Sequence, residues 1–432
     1  MGTIKEIRYL RVTFKNTSPL AIGSGNNDRT DKDLLKGADG VPYIPATSIA
    51  GVIREQAEKA LKNALGDLEK ESKIIFYDGV ITESSRQTWH ISIRDSVRLD
   101  DYKTAVKGAK FDMEILEPGV CFETLFEQEM ENNETENNEK DYLTEIAEIF
   151  RSGQIRFGGK TTRGYGDIEV EVNGIQSARF DLSNGEDADK WLKFNPYVSS
   201  DNNWKPGVVF GEHIDQIDAA KSRKIVLSLK QRGGISIRRY TTKPGTKDRN
   251  EPDMEQLSVK SRDGRDVPVV PGTSWAGAFR HRMKEFGVDV ESKENIFGFV
   301  SGDRTDQKAK SKLIFSESQL ENGKYKTLSR NAIDRFTGGT VDGALFTERV
   351  YYGGTTNLII SWCGNDPFPE KEKKALAAAI TDLHYGFLTV GGETSIGRGI
   401  FTIEKIDGDP IGEKSGQDFY KKVYDKLSEV MK

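Results

Sequence analysis

The feature that most constrains this chain is that it repeats itself. Residues 44–55 read IPATSIAGVIRE and residues 270–281 read VPGTSWAGAFRH, sharing the pattern Pro-small-Thr-Ser-apolar-Ala-Gly-x-x-Arg. Residues 158–166 read GGKTTRGYG and residues 391–399 read GGETSIGRG. Between them, IRDSVRLDD with Arg94 and Asp95 is echoed by LSRNAIDRF with Arg330 and Asp334, and KFDMEILEPG at 110–119 by LFTERVYYGG at 345–354. Coincidence would not keep four matches in one order at nearly constant offset, so two copies of one domain are expected.

Each copy opens on an alternating apolar and polar run, IRYLRVTF at 7–14 and RKIVLSL at 223–229, which reads as a strand. A polar, irregular stretch follows, and then the Pro-Ser motif. Pro45 and Pro271 cannot lie inside a helix, whereas Thr47/Ser48 and Thr273/Ser274 can cap one. The spacing predicts helices over SIAGVIREQAEKALKNAL and SWAGAFRHRMKEF, the first with an apolar stripe of Ile49, Val52, Ile53, Ala57 and Leu61. Late in each copy a Gly-rich turn enters another strand. The order is that of an α+β fold with long inserted loops and hairpins. The expected boundaries are 1–175 for the first domain, with an acidic, low-complexity insertion at 127–141. A linker at 176–218, a second domain at 219–410 and a terminal helix at 411–432 follow.

Composition narrows the function. Lys and Arg total 63 against 68 Asp and Glu, a net charge of −5, which by itself argues against a nucleic-acid binder. The average hides an asymmetry: residues 127–141 are strongly acidic, and residues 221–249 strongly basic enough to attract phosphate locally. No apolar run approaches the roughly 20 residues of a membrane-spanning helix. The opening MGTIKEIRYLRVTF carries no secretory pattern. Cys121 and Cys363 are the only cysteines, too few for a disulfide scaffold or an all-cysteine metal site, and they suit a reducing cytoplasm.

The Gly-rich turns can present backbone N–H groups to a phosphate, with Lys160 and Arg163 adding charge. They are not nucleotide-binding P-loops, since the spacing is wrong and the turn leads into a strand. They equally fit tight turns that need glycine for positive φ. The Pro-Ser helix starts, with Ser48 or Ser274, can hold a phosphate or simply pack closely on a sheet. His90, His213, His281 and His384 form no metal-binding pair. Trp89, Tyr165, Tyr240 and Phe336 are suited either to stacking on bases or to packing.

Taken as an ordered set, the opening strand, the Pro-Ser helix, the ALFTERV segment and the terminal Gly-rich loop resemble the RAMP superfamily of CRISPR-associated proteins. The resemblance covers nearly the whole chain, twice, although Ala46 stands where the family pattern has Gly. It implies two tandem ferredoxin-like (RRM-like) domains, as in the tandem backbone subunit of a type III (III-D-like) effector. Such a subunit holds guide RNA (crRNA) along its phosphates and pairs it with single-stranded target RNA, beside other effector subunits. A thumb-like hairpin splays a base. An acid in the loop before the Pro-Ser motif supports metal-dependent target cleavage.

That implication points to Asp31 in the first loop, with Asp33 the near alternative and Asp28 beside them. In the second loop Asp253 is the best placed of Asp248, Glu251 and Asp253. Asp31 and Asp253 would bind Mg²⁺ or Mn²⁺. RNA contacts are expected from Ser48, Arg54, Lys160 and Arg163 in the first copy. Those expected in the second are Arg238, Arg239, Ser274, Arg280, Arg330, Arg335 and Arg398. Two alternatives stand beside this: a scaffold without chemistry, and a metal-independent guide-processing ribonuclease. The latter typically needs His, Tyr or Lys as acid and base, and the acidic loops contain no His.

Overall fold

The computed structural model describes residues 4–25, 28–67, 69–99, 105–131, 141–210, 212–213, 223–240, 252–261, 263–290, 295–300, 308–364, 366–412 and 415–432. Two compact units emerge, residues 1–161 with 165–222, and residues 162–164 with 223–432.

The first unit runs β1 (Ile4–Asn16), α1 (Ala46–Gln56), α2 (Lys59–Ala64), β2 (Ile74–Phe76), β3 (Ile91–Leu99), β4 (Ala105–Leu116), β5 (Cys121–Glu131), α3 (Tyr142–Arg151), β6 (Ile168–Asp181) and α4 (Gly185–Lys193). The second runs β7 (Lys224–Arg232), α5 (Gly272–Glu285), β8 (Leu313–Phe315), β9 (Lys324–Ile333), β10 (Thr340–Tyr352), β11 (Thr355–Trp362), α6 (Glu370–Tyr385), β12 (Ile400–Ile406) and α7 (Gly416–Val430). The central sheet order is β2-β5-β1-β6 in one unit and β8-β11-β7-β12 in the other. Every one of these neighbouring pairs is antiparallel. Each unit is therefore a ferredoxin-like βαββαβ domain with a long hairpin, β3–β4 or β9–β10, inserted before its third sheet strand.

Side-chain alternation explains the layering. Along β1, Leu10, Val12 and Phe14 are wholly buried against the helices with Ile49, Ile53, Ile146 and Phe150. Ile7 and Tyr9 point to the other face, where they pack with Phe180 and Trp204. In the second unit Ile225, Leu227 and Leu229 of β7 meet Trp275 and Phe279 of α5, Leu376 and Ile380 of α6 and Phe419 of α7.

Several boundaries differ from expectation, each for a physical reason. The helices begin one residue after the prolines: Pro45 and Pro271 are themselves the N-caps, and no serine or threonine side chain caps either helix. Proline fits there because its missing N–H removes no helical bond. The single helix expected through Leu65 breaks at Ala57, which turns extended and buried, while the Glu58 N–H goes to Glu145 of α3 (2.8 Å). The acidic stretch 127–141 begins as strand: Glu127 to Glu131 finish β5, paired with β1. It ends on Asp141, which caps α3 by accepting from Leu143 (3.0 Å) and Thr144 (3.3 Å). Its residues 132–140 lie outside the described residues.

The segment expected as a linker, 176–218, is largely structural. β6 continues through it to Asp181 against β1, and the Trp191 indole donates to Tyr9 (3.2 Å). Trp204 is 5% exposed and stacks on the Arg11 guanidinium (5.5 Å). These residues seal the sheet face opposite the helices. Trp204→Ala should accordingly destabilise the first unit by about 3–5 kcal/mol in denaturant melts, whereas a linker tryptophan would tolerate the change.

Candidate nucleic-acid interface

The two acidic loops share one contact, a loop carboxylate on a hairpin-strand N–H. Asp31 donates its N–H to Asp112 Oδ1 (2.8 Å), and its own Oδ2 accepts the Asp112 N–H (2.9 Å). Asp253 donates its N–H to the Thr347 carbonyl (2.7 Å), and its Oδ2 accepts the Thr347 N–H (2.8 Å). Asp112 and Thr347 are matched positions of the sequence repeat, on the return strands β4 and β10. In both units the loop acid's carboxylate accepts the strand's N–H, while its own N–H goes to a side-chain carboxylate in the first and to a main-chain carbonyl in the second. In the second unit the link extends into a short strand, Met254–Gln256, parallel to β10.

Asp33 has a different task. Its two oxygens accept the N–H groups of Asp28 (2.8 Å), Arg29 (3.1 Å) and Thr30 (2.9 Å) and the Thr30 hydroxyl (2.9 Å). Burial pushes its pKa up, but these donors outweigh it and hold the carboxyl below its ordinary range. The near alternative is therefore the post around which the loop folds. Asp31 is exposed, and its Oδ1 has no protein partner among the described residues. Asp112, which the sequence reading did not single out, adds a second carboxylate beside it. Asp248 and Glu251 lie outside the described residues. Among the described residues no cluster of three or more His, Cys, Asp and Glu could hold a metal. Mg²⁺ commonly binds through only one or two carboxylates, with waters and substrate phosphates completing its shell. Asp31 with Asp112, and Asp253, fit that mode and not an all-protein cage.

The Gly-rich loops are also one structure made twice. Positive φ falls at Gly158, Lys160, Gly164 and Gly166, and at the matched Gly391, Glu393, Gly397 and Gly399. A Cβ on Gly166 would lie 2.0 Å from the Phe157 carbonyl oxygen, and one on Gly399 1.9 Å from that of Val390. Gly159 and Gly392 donate to the carbonyls of Ala21 (2.6 Å) and Ser236 (2.8 Å), and Gly166 and Gly399 to those of Pro19 (2.8 Å) and Gly234 (2.9 Å). These N–H groups brace the loop against the segment following β1 or β7, so they do not cradle a phosphate. Side chains at the shared left-handed position reach the hairpin instead. Lys160 lies over the Phe111 ring of β4 (4.3 Å). Glu393 accepts from Arg330 of β9 (3.1 Å) and from Arg398 (2.9 Å).

Arg398 is therefore not a surface cation awaiting RNA. It is 5% exposed, also hydrogen-bonded to the Tyr352 hydroxyl (2.8 Å) and to the buried carboxylate of Glu348. Arg330 shares both glutamates, though its side chain stays 41% exposed. Burial pushes Glu348 above its ordinary range.

The other expected RNA contacts divide. Arg54 donates to the carbonyls of Leu65 (3.0 Å) and Gly66 (2.8 Å), and Arg280 to that of Val290 (2.6 Å). Arg54 reaches past α1 to fasten the turn after α2, and Arg280 fastens the segment after α5. Ser48 and Ser274 lie half-buried in the first helical turn. The α1 terminus already has an anion, since Ala46 donates to Asp78 (2.7 Å), so Ser48 does not mark an open phosphate site. Arg163 and Arg335 are exposed. The backbones of Arg238 and Arg239 pair with Gln256 and Glu255, and their side chains, like residues 241–249 of the basic stretch, lie outside the described set. Arg335 sits at the β9–β10 turn, where Asp334 accepts from Phe336 (2.9 Å) and Thr337 (2.7 Å). That turn lifts Phe336 to 99% exposure, with Ile333 and Leu345 also exposed. Tyr165 packs with Ala21 and Met113. The His384 ring stacks on Phe419 (4.4 Å).

Arg398→Ala would leave Glu348 buried without its principal partner. A loss of about 3–5 kcal/mol in folding stability is expected, measured by chemical denaturation; a residue that only touched RNA would leave stability unchanged.

A family model of the RAMP superfamily matches residues 13–169 and 203–402. No curated protein matches. Among solved structures the chain is similar to one in the cryo-EM structure of the type III-B Cmr-beta bound to cognate target RNA, at 18% identity and a TM-score of 0.33. That alignment covers 40% of this chain and 61% of the other, less than two thirds of its length. With most of its length matched by the family model, the chain belongs to the RAMP superfamily.

Proposed function

We propose that this member of the RAMP superfamily is a backbone subunit of a CRISPR type III effector. It binds guide RNA along its phosphates, presents paired target RNA, and cleaves the target at Asp31 and at Asp253. The observation that carries the reading is the matched attachment of both aspartates to the return strand of a projecting hairpin. One such hairpin ends in a fully exposed phenylalanine. A wedge of that kind suits separation of stacked bases, and an acid at its base lies where the kinked backbone would pass.

The chemistry asks little of the protein. The RNA 2′-OH is the nucleophile, and kinking the strand aligns it with phosphorus and the leaving oxygen, which is mainly a matter of orientation. The Thr347 and Asp112 amides fix one carboxylate oxygen of each aspartate, which sets the direction of the other. A Mg²⁺ or Mn²⁺ ion held by Asp31 with Asp112, or by Asp253, would supply charge stabilisation to the phosphate. Arg163 and Arg335, both exposed, suit phosphate contact; such contacts give affinity without sequence information. Guide pairing supplies the specificity, other effector subunits complete the complex, and the cytoplasm is the compartment this reading implies.

The scaffold alternative is favoured by one observation: each aspartate already accepts a backbone N–H. Cleavage of target RNA by the assembled complex separates the two. Asp31→Ala should lose one product, Asp253→Ala another, and the double variant or EDTA both; four identical digests would leave a scaffold. Phe336→Ala should weaken RNA binding by about 1–3 kcal/mol in a filter or anisotropy titration, the worth of one base–aromatic stack.

A further inference from the structure

At the root of the β9–β10 hairpin, two arginines and two glutamates of the second unit share hydrogen bonds that the cleavage chemistry does not use. The four are unequally placed. Arg398 is buried, with Glu348, Glu393 and the Tyr352 hydroxyl all accepting from it. Arg330 also donates to Glu348, and its Nη2 reaches both Glu393 oxygens (3.3 and 3.1 Å). The Arg330 side chain is nevertheless 41% exposed, against 14% for Glu393. Glu393 stands on left-handed backbone (φ 58°), as does Lys160 at the matched position (φ 61°). A non-glycine side chain on such backbone points to a task for it. In the first unit that task is different. Its loop, GGKTTRGYG, contains no acid. Lys160 lies over Phe111, and Arg94, matched to Arg330, is buried on Glu117 (3.1 and 3.2 Å).

We propose that Glu393 stands in for a phosphate: it occupies Arg330 in the absence of RNA, and a single strand of RNA must displace it to gain that arginine. A guanidinium offers the same donors to a carboxylate and to a phosphate, so the exchange is of like for like. Arg330 can leave without orphaning a buried charge, because Arg398 stays on both glutamates. Glu393 itself cannot follow, since Gly392 and Gly399 tie its loop to the carbonyls of Ser236 and Gly234. The strand that carries Arg330 leads to the turn bearing Arg335 and Phe336, which puts the released side chain on the path proposed for RNA. A phosphate contact at Arg330 is thus offset by the pair it breaks, and Glu393 acts as an internal brake on one contact of the second unit. This rests on the proposed binding of RNA.

The test is an anisotropy titration of the full chain with a labelled oligouridine, comparing wild type, Glu393→Gln, Arg330→Ala and the double variant as a cycle. Glutamine keeps the shape of Glu393 and an oxygen for Arg398. Glu393→Gln is expected to bind severalfold tighter than wild type, and the double variant no tighter than Arg330→Ala. Phenylglyoxal labelling of the wild type, read by mass spectrometry, should show Arg330 protected when the RNA is added. A gain that survives in the double variant would be relief of charge repulsion alone and would overturn the brake. No gain from Glu393→Gln, or labelling of wild-type Arg330 that RNA leaves unchanged, would overturn it too. Each of these leaves the RNA-binding reading standing. No binding of oligouridine by any of the four proteins would remove both.

Discussion

Asp31 and Asp253 are each held by two hydrogen bonds to the return strand of a hairpin, and much of the molecule's arrangement follows from that attachment. The return strand carries neighbouring residues with separate duties. In β4, Phe111 receives Lys160 of the Gly-rich loop and Asp112 receives Asp31. In β10, Thr347 receives Asp253, and Glu348 receives Arg398 and Arg330. Hairpin, acidic loop and Gly-rich loop are thereby fixed to one another at a single stretch of backbone, supported beneath by a ferredoxin-like sheet. A shift of the hairpin would move both loops with it.

The duplication is structural before it is chemical. Glycines recur at the Gly-rich loops because a carbonyl lies within about 2 Å of where a Cβ would sit at Gly166 and Gly399. Arg54 and Arg280 recur because each ties its helix to carbonyls of a segment further along the chain. The residue between the glycines is freer to vary. Lys160 meets an aromatic ring, whereas Glu393 meets two arginines, so the charge of the loop is reversed while its backbone is kept.

The tandem α+β plan was legible in the sequence because repeats, alternating strands and prolines are local signals. The roles of the loop acids were legible only in part. Sequence order placed Asp31 and Asp33 in one loop, but nothing local distinguishes Asp31, which reaches a strand far along the chain, from Asp33, which folds its own turn. Charge alone also misled: Arg398 reads as a surface cation until Glu348, distant in sequence, is seen beneath it. The polar stretch around Trp204 reads as a linker because its few aromatic anchors are widely spaced. The place of Asp112 depends on the hairpin's register, which no sequence motif announces.

A structure of the chain bound to guide RNA and an uncleaved target tests the central claim most directly. A target phosphate should lie beside the Asp31 carboxylate and another beside Asp253, with the Phe336 wedge between separated bases. RNA running along a different face, with both aspartates remote from any phosphate, would contradict it.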